Sequence, residues 1–175
     1  MPVPPPPAPA PSVRVRPARA EELAGVGRLT VAAYAADVSP SSSYAAVLAD
    51  AAGRAAHARL LVAVDSANGG LLGTATLVLG GPYAQLAGPG EAELRMLAVD
   101  PAARRRGVGE ALVRATVAEA RAAACRRYVL STLPTMVAAH RLYERLGFRR
   151  APALDHDPVA GVHLLAYALD LQSGT

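Results

Sequence analysis

The chain has 175 residues, which fits one domain with short terminal extensions. Because 52% of its residues are apolar, it can build a hydrophobic core and is not intrinsically disordered as a whole. A single cysteine excludes a disulfide framework and a thiolate metal cluster, and no apolar run is long enough to span a membrane. These features predict a protein of the reducing cytoplasm without a membrane partner.

The formal net charge is +4, and all 18 residues counted as lysine or arginine are arginines. A lysine-free chain has no side-chain amine that it could itself modify. The excess of positive charge is compatible with a phosphate-bearing cofactor or with a nucleic acid, and it does not choose between them.

The N-terminus is rich in proline, with seven of the 15 prolines among the first 11 residues. Such a stretch forms an extended polyproline segment that cannot pack as a helix or a central strand. We therefore predict a disordered tail over residues 1–12, one folded domain over residues 13–171 and a short tail over residues 172–175.

Hydrophobic periodicity predicts alternating strands and helices along the folded part. An Asn68-Gly69 pair between two apolar runs indicates a β-hairpin, and Ser42 or Ser43 can cap the second helix. In chain order we expect a strand from Val13, helices over 21–34 and 42–57, strands over 60–64, 71–79 and 91–99, a helix over 107–124, a strand over 128–133, a helix over 135–146 and a strand over 162–171. This order predicts an α/β fold with mixed strand pairing.

The most informative segment is the turn that runs from Asp100-Pro101 through three arginines to Gly107-Val108-Gly109. Two glycines open a predicted helix, where the backbone can approach an anion and the first N–H groups have no partner within the helix. A phosphate can accept several of these hydrogen bonds, and the arginines add positive charge. The turn is thus a candidate phosphate site.

Two blocks of this sequence resemble the GCN5-related N-acetyltransferase (GNAT) family. The pattern Arg104-x-x-Gly107-x-Gly109 matches the family's acetyl-CoA signature, and the segment from Ala139 to Phe148 matches its A-x-x-L-Y-x-x-x-G-F block. The resemblance in element order extends from about Val13 to Leu171.

The resemblance implies a single-domain α/β fold: a mixed, mostly antiparallel sheet flanked by helices, with two central strands splayed apart to admit acetyl-CoA. The backbone of Leu97, Ala98 and Val99 would pair with the pantetheine arm. The remaining implied cofactor-binding residues are Arg104, Arg105, Arg106, Gly107, Val108, Gly109 and Glu110. In the residues themselves, Leu97 breaks the alternation of polar and apolar positions in its strand, as a β-bulge would.

Two residues are candidates for the chemistry. An acceptor amine must lose a proton, and Glu93 lies where several members of the family keep a catalytic glutamate; Glu91 and a water relay are the alternatives. Tyr143 matches the family tyrosine that protonates the departing sulfur of CoA. A core role for Tyr143 remains an alternative, because it shares a helical stripe with other apolar residues.

Four other residues bear on the site. Met136 stands where many relatives have an asparagine that hydrogen-bonds the cofactor arm, and a thioether cannot replace that amide donor. His140 is a candidate proton relay or a surface histidine. Cys125 lies near a helix end, away from both blocks, so we expect no acyl-enzyme. His57, like the remaining histidines, lacks metal-ligand spacing, so we expect no metal.

The resemblance therefore implies an N-acetyltransferase that transfers acetyl directly from acetyl-CoA to an amine. We expect the acceptor, a small molecule or a peptide N-terminus, between the first two helices, near Tyr34 to Tyr44, and the loop containing Tyr83. A non-catalytic acyl-CoA-binding module and an RNA-directed acetyltransferase are the alternatives, although we expect no nucleic-acid partner. Dimers are common in the family, so a homodimer is one of the states that the sequence leaves open.

Overall fold

The computed structural model describes residues 12–172. Residues 1–11, where we expected a disordered proline-rich tail, and residues 173–175 lie outside this range. The helices within it are α1 (Leu23–Asp37), α2 (Ser42–Ala49), α3 (Ala51–His57), α4 (Val108–Ala122) and α5 (Val137–Arg145). The strands are β1 (Val13–Pro17), β2 (Arg59–Asp65), β3 (Leu71–Val78), β4 (Glu91–Val99), β5 (Arg127–Thr132), β6 (Arg149–Arg150), β7 (His156–Val159) and β8 (Val162–Asp170). None of the helices is long and apolar enough to cross a membrane.

The strands form one mixed sheet in the order β1-β2-β3-β4-β5-β8-β6, with β7 paired to β8. Every neighbouring pair is antiparallel except β4 and β5, which are parallel. These two central strands pair only from Glu91 opposite Arg127 to Leu94 opposite Leu130. Beyond Leu94, β4 continues to Val99 without a partner on the β5 side. The expected mixed sheet with splayed central strands is confirmed.

The expected irregularity in β4 is present as a bulge. Thr74 of β3 faces Ala98 and Thr76 faces Arg95, so β4 has one residue more than β3 between these two pairs. Within this interval Met96 adopts a φ of +51°, a left-handed conformation that non-glycine residues seldom take. The bulge lies where β4 leaves β5, and it re-aims the side chains at the opening of the cleft.

Helices cover both faces of the sheet and leave the cleft between them. Helix α4 packs its buried stripe on one face, where it joins the main hydrophobic cluster together with Tyr143 of α5. Helices α1 and α3 cover the other face through a second cluster that includes Val26, Ala51 and Val62. The gap between β4 and β5 is therefore flanked by α4 and α5 on one face of the sheet and by α1 and α3 on the other.

Three details differ from the sequence prediction. The single helix expected from residue 42 to 57 is two helices, because Asp50 interrupts it and caps α3 by accepting a hydrogen bond from the Gly53 N–H at 2.8 Å. The cap of α2 is Ser41 rather than Ser42 or Ser43. The short strands β6 and β7 were not expected, since segments of two and four residues are too short to show an alternation of polar and apolar positions.

Candidate active site

The glycine turn presents an uncapped helix terminus at the mouth of the cleft. Gly107 is the N-cap residue of α4, with a φ of +74° and no side-chain hydrogen bond to the helix. The first intrahelical bond runs from the Ala111 N–H to the Gly107 carbonyl, which leaves the N–H groups of residues 108–110 without an acceptor inside the helix. These donors and the helix dipole can hold a phosphate.

The two signature glycines serve different purposes. At Gly107 a Cβ would meet no atom within 4 Å, so the positive φ rather than crowding calls for glycine, and the space above the turn is open. At Gly109 a Cβ would lie 3.3 Å from Leu142 of α5, which makes this glycine a packing position between α4 and α5. The turn therefore combines an open side for a ligand with a closely packed inner side.

Of the three arginines of the turn, two form ion pairs with other parts of the chain, and the third forms none with the described residues. Arg104 donates two hydrogen bonds to Asp37 at the end of α1, each 2.8 Å long, and Arg106 bonds Asp65 at 3.0 Å. Arg105 is exposed, has a φ of +64°, and forms no hydrogen bond or ion pair with residues 12–172. Of the basic run, Arg105 is the residue whose charge is available to a bound anion.

The backbone of Leu97, Ala98 and Val99 borders the cleft opposite the diverging end of β5. This segment pairs with β3 on one side, as Ala98 faces Thr74 and Val99 faces Gly73. On its other side the ladder to β5 has already ended. A thin, extended molecule with amide groups can add itself to such an open edge like another strand.

Tyr143 is buried in an aromatic cluster and keeps a free hydroxyl. Its ring is 5% exposed and lies 5.8 Å from Phe148 and 6.1 Å from Tyr167, measured between centroids. Burial raises the pKa of Tyr143, so the phenol stays protonated at neutral pH. No residue in the range 12–172 accepts from or donates to its hydroxyl, which remains available to a ligand.

Comparison with known proteins identifies the family. The family model described as "Acetyltransferase (GNAT) family" matches residues 24–148. The chain belongs to the GNAT acetyltransferase family. The rat N-acetylaspartate synthetase is 40% identical over 72 residues, which cover 41% of this chain and 24% of that protein. This chain thus matches about a quarter of the length of that curated relative.

Solved structures share the fold of this GNAT domain over nearly its whole length. The ribosomal-protein-S18-alanine N-acetyltransferase from Escherichia coli superposes with a TM-score of 0.68 at 20% identity, covering 94% of this chain and 97% of the other. The Salmonella typhimurium protein yncA, solved with its cofactor acetyl-CoA, has a TM-score of 0.68 at 20% identity, with 94% and 96% coverage. At these identities the likeness concerns the fold.

The two candidate glutamates of this GNAT domain have different surroundings. One oxygen of Glu93 (2% exposed) accepts hydrogen bonds from the N–H groups of residues 85–87, at 2.8–3.2 Å. Its other oxygen lies 4.0 Å from Nε of Arg95. Glu91 bonds Arg126 at 3.2 Å and the Gly88 N–H at 3.0 Å. Although its burial acts in the opposite direction, these hydrogen bonds lower the pKa of Glu91.

Three tyrosines from the segments where we expected the acceptor lie near one another. The rings of Tyr34 and Tyr44 meet edge to face at 6.2 Å. Tyr83, from the loop before β4, stacks on His57 at 6.1 Å and lies under the guanidinium of Arg95 at 4.8 Å. Burial, with smaller contributions from Tyr44 and Tyr143, raises the pKa of Tyr34. The structure thus brings together the segments that the sequence prediction named for the acceptor.

Two arginines beside these tyrosines were missed by the sequence analysis. Arg54 of α3 is 0% exposed, and Arg95 of β4 donates a hydrogen bond to the Tyr83 carbonyl at 2.9 Å. No local pattern marks either residue. An arginine among the alanines of a short helix, or one alternating along a strand, is typical of a solvated surface position.

The remaining candidates of the sequence analysis have structural positions. Met136 is the N-cap of α5, and its side chain makes no capping hydrogen bond. His140 contacts the Leu133 carbonyl through Nε2 at 2.9 Å, which ties α5 to the preceding loop. Cys125 follows the end of α4 and packs partly buried against the main hydrophobic cluster. Within residues 12–172 no three His, Cys, Asp or Glu side chains group as metal ligands.

Proposed function

We propose that this GNAT protein transfers the acetyl group of acetyl-CoA directly to the amine of a small molecule or a peptide N-terminus. The observation that carries the proposal is the uncapped terminus of α4 at Gly107 beside the open edge of β4. The first feature suits a pyrophosphate and the second suits the amide-containing arm of the same molecule. One ligand that needs both, at adjoining positions, is acetyl-CoA.

The cofactor would be held mainly by backbone. The N–H groups of residues 105–110 would donate to the pyrophosphate, with Arg105 adding charge. The backbone of residues 97–99 would hold the pantetheine arm in the opening between β4 and β5. When bound, acetyl-CoA would supply the activated acetyl thioester, and its acetyl end would point towards the three tyrosines on the other side of the bulge.

Tyr143 would supply the proton that the sulfur needs. As the amine nitrogen forms a bond to the acetyl carbon and the carbon–sulfur bond breaks, the sulfur leaves with the bonding electron pair. The protonated hydroxyl of Tyr143, which has no hydrogen-bond partner among residues 12–172, is suited to donate a proton to it. Because burial raises the pKa of the phenol, this donation must accompany the bond breaking rather than precede it.

Glu93 would accept the proton that the amine loses, directly or through water. Its Oε2 is occupied by the three N–H groups of the 85–87 loop, so Oε1, near Arg95, is the oxygen left for this role. A lysine-like amine is about 3.4 pH units from its neutral form at pH 7, which a nearby carboxylate helps to overcome. Glu91 is less suited, because Arg126, Arg127 and Gly88 already engage it.

The relatives favour amino-acid acceptors. One relative is named for N-acetylaspartate and a structural neighbour for an alanine of ribosomal protein S18, so both names refer to an acetylated amino acid. A site lined by Tyr34, Tyr44 and Tyr83 has few carboxylates to attract a polycation, which also favours a small acceptor or a peptide end.

The test is turnover of acetyl-CoA against a panel of amines, followed by release of the free thiol and by the mass of the acetylated product. The panel includes free amino acids, their amides, simple amines and short peptides. We expect thiol release that depends on both the enzyme and the amine. Tight binding of acetyl-CoA without turnover of any amine would instead support a non-catalytic acyl-CoA-binding module. If RNA alone were acetylated, the RNA-directed alternative would replace the proposal.

A further inference from the structure

The acceptor side of the cleft contains a buried arginine without a carboxylate partner. Arg54 is 0% exposed, and its hydrogen bonds go to the Leu48 carbonyl at 2.8 Å, the Val47 carbonyl at 3.2 Å and the Thr30 hydroxyl at 3.3 Å. Its Nε is buried with no partner, and no acidic side chain of residues 12–172 forms an ion pair with it. Burial lowers the pKa of Arg54, but a guanidinium stays charged at neutral pH.

This arginine touches the point where the cleft opens. Its Nη1 lies 3.4 Å from the sulfur of Met96, the residue of left-handed φ in the β4 bulge. The same guanidinium contributes to the pKa values of Tyr34 and Tyr44, so it lies within electrostatic reach of both phenols. Within residues 12–172, Arg54 therefore adds a buried positive charge without an ion-pair partner beside Tyr34 and Tyr44, rather than at the glycine turn.

Arg95 lies near Arg54 and has hydrogen-bond donors without a partner within the range 12–172. Its side chain is 15% exposed and forms one hydrogen bond, from Nη1 to the Tyr83 carbonyl at 2.9 Å. The carboxylate of Glu93 is 4.0 Å from its Nε, beyond hydrogen-bond distance, and is already engaged by three backbone N–H groups. Nη2 has no partner within the described residues, so the guanidinium retains a free side.

The local charges do not balance without a ligand. Of the two guanidinium groups, Arg95 lies 4.0 Å from the Glu93 carboxylate, whereas Arg54 is fully buried and forms no ion pair within residues 12–172. Asp50 also acts on Arg54 electrostatically, but it lies at the exposed cap of α3. An unpaired charge in such a place is costly, and an incoming carboxylate would relieve that cost by forming charge-assisted hydrogen bonds.

We infer that the acceptor of this enzyme carries a carboxylate near its amine and that Arg95 binds this carboxylate. Arg54 is then a positioning residue that keeps the surroundings of Tyr34 and Tyr44 positively charged. The inference rests on the proposed N-acetyltransferase function and specifies its acceptor as an amino acid with a free acid group. A planar guanidinium with a free side matches the two oxygens of a carboxylate. The stacked ring of Tyr83 would hold the guanidinium in place.

The experiment compares acceptors in matched triplets: an amino acid, its α-amide and the amine that lacks the carboxyl carbon. Alanine, aspartate and phenylalanine provide three side-chain classes. For the wild-type enzyme we expect the acid to exceed its amide in kcat/KM by about tenfold or more in at least one triplet. In Arg95→Gln this acid-to-amide ratio should fall towards one, whereas Arg95→Lys should retain an intermediate ratio.

Arg59→Gln is the matched control, since Arg59 pairs with Glu119 on the surface and should leave the ratio unchanged. Arg54→Lys should keep the preference for the acid over its amide, and Arg54→Met should lose it. If neither Arg54 variant folds, the Arg95 variants alone test the inference. Amides or simple amines that are acetylated as fast as the acids would overturn the inference, as would an unchanged ratio in Arg95→Gln. Absence of turnover with every amine would instead overturn the proposed function on which it rests.

Discussion

The two sides of the cleft differ in whether backbone or side-chain groups would contact the ligand. On the proposed cofactor side, the groups that would face the ligand are the backbone N–H groups of residues 105–110 and the open edge of β4. On the proposed acceptor side they would be side chains from separate parts of the chain, among them Tyr34, Tyr83 and Arg95, with Arg54 buried behind them. A backbone site needs a particular local conformation, and a side-chain site needs particular residues to meet. The first kind of site is therefore tolerant of sequence change except at its glycines, whereas the second determines which acceptor fits.

The largest effect should come from the residue between the two sides. Tyr143→Phe removes one hydroxyl and keeps the ring that packs on Phe148 and Tyr167. We expect kcat to fall by about 10- to 1,000-fold, with nearly unchanged affinity for acetyl-CoA, because the sulfur would lose its proton donor. Pre-steady-state and steady-state turnover together show whether chemistry limits the rate. A kcat within twofold of wild type under chemistry-limited conditions would make Tyr143 a packing residue.

Glu93→Gln tests whether the acceptor side supplies a base. The amide oxygen of glutamine can still accept from the N–H groups of residues 85–87, so the loop should keep its place while Oε1 loses its basicity. We expect about a tenfold lower kcat/KM at neutral pH and a deficit that shrinks as the pH rises, since more amine then arrives neutral. A pH profile equal to that of the wild type would remove Glu93 from the chemistry.

Glu91→Gln is the companion variant, and its effect should be on stability. Despite the opposing effect of burial, hydrogen bonds and ion pairs with Gly88, Arg126 and Arg127 lower the pKa of Glu91. A lowered folded pKa stabilises the protein above the unfolded value of about 4.5, and this stabilisation is lost as the pH falls through the folded pKa. At pH 7 we expect a loss of about 1 kcal/mol in unfolding free energy, which should vanish in acid. If Glu91→Gln instead showed the kinetic profile expected of Glu93→Gln, the base would be Glu91.

The same contrast explains what the sequence could and could not predict. The glycine turn and the bulge near Leu97 follow from contiguous residues, because glycine placement and strand alternation are local properties. The splayed central strands were expected from the resemblance to the family rather than from any local pattern. The partners of Arg104 and Arg106 could not be predicted, as Asp37 and Asp65 are 67 and 41 residues away along the chain. Arg54 was missed for the same reason, since its burial depends on α1, α2 and β4 closing around it.

The smallest effect concerns Met136, where this chain departs from the family pattern. The N-terminus of α5 lacks a side-chain cap, and Met136→Asn would supply an acceptor for it. We expect the free energy of unfolding to rise by about 0.5–1 kcal/mol, measured by chemical denaturation. Met136→Ala is the control that removes the thioether without adding a cap. Equal stability of the asparagine and alanine variants would show that the terminus gains nothing from a cap.

Calorimetric binding of acetyl-CoA to Gly107→Val tests the central claim, a cofactor site made of backbone, most directly. The control is Gly161→Val, because Gly161 also has a positive φ of +82° and a Cβ added there would meet no atom within 4 Å, but it lies in the turn between β7 and β8. Both variants should lose about 1–2 kcal/mol of stability from backbone strain. Only Gly107→Val should bind acetyl-CoA more weakly, by about tenfold or more, since its side chain enters the space that the pyrophosphate needs. Equal affinity of Gly107→Val and the wild type would contradict the account.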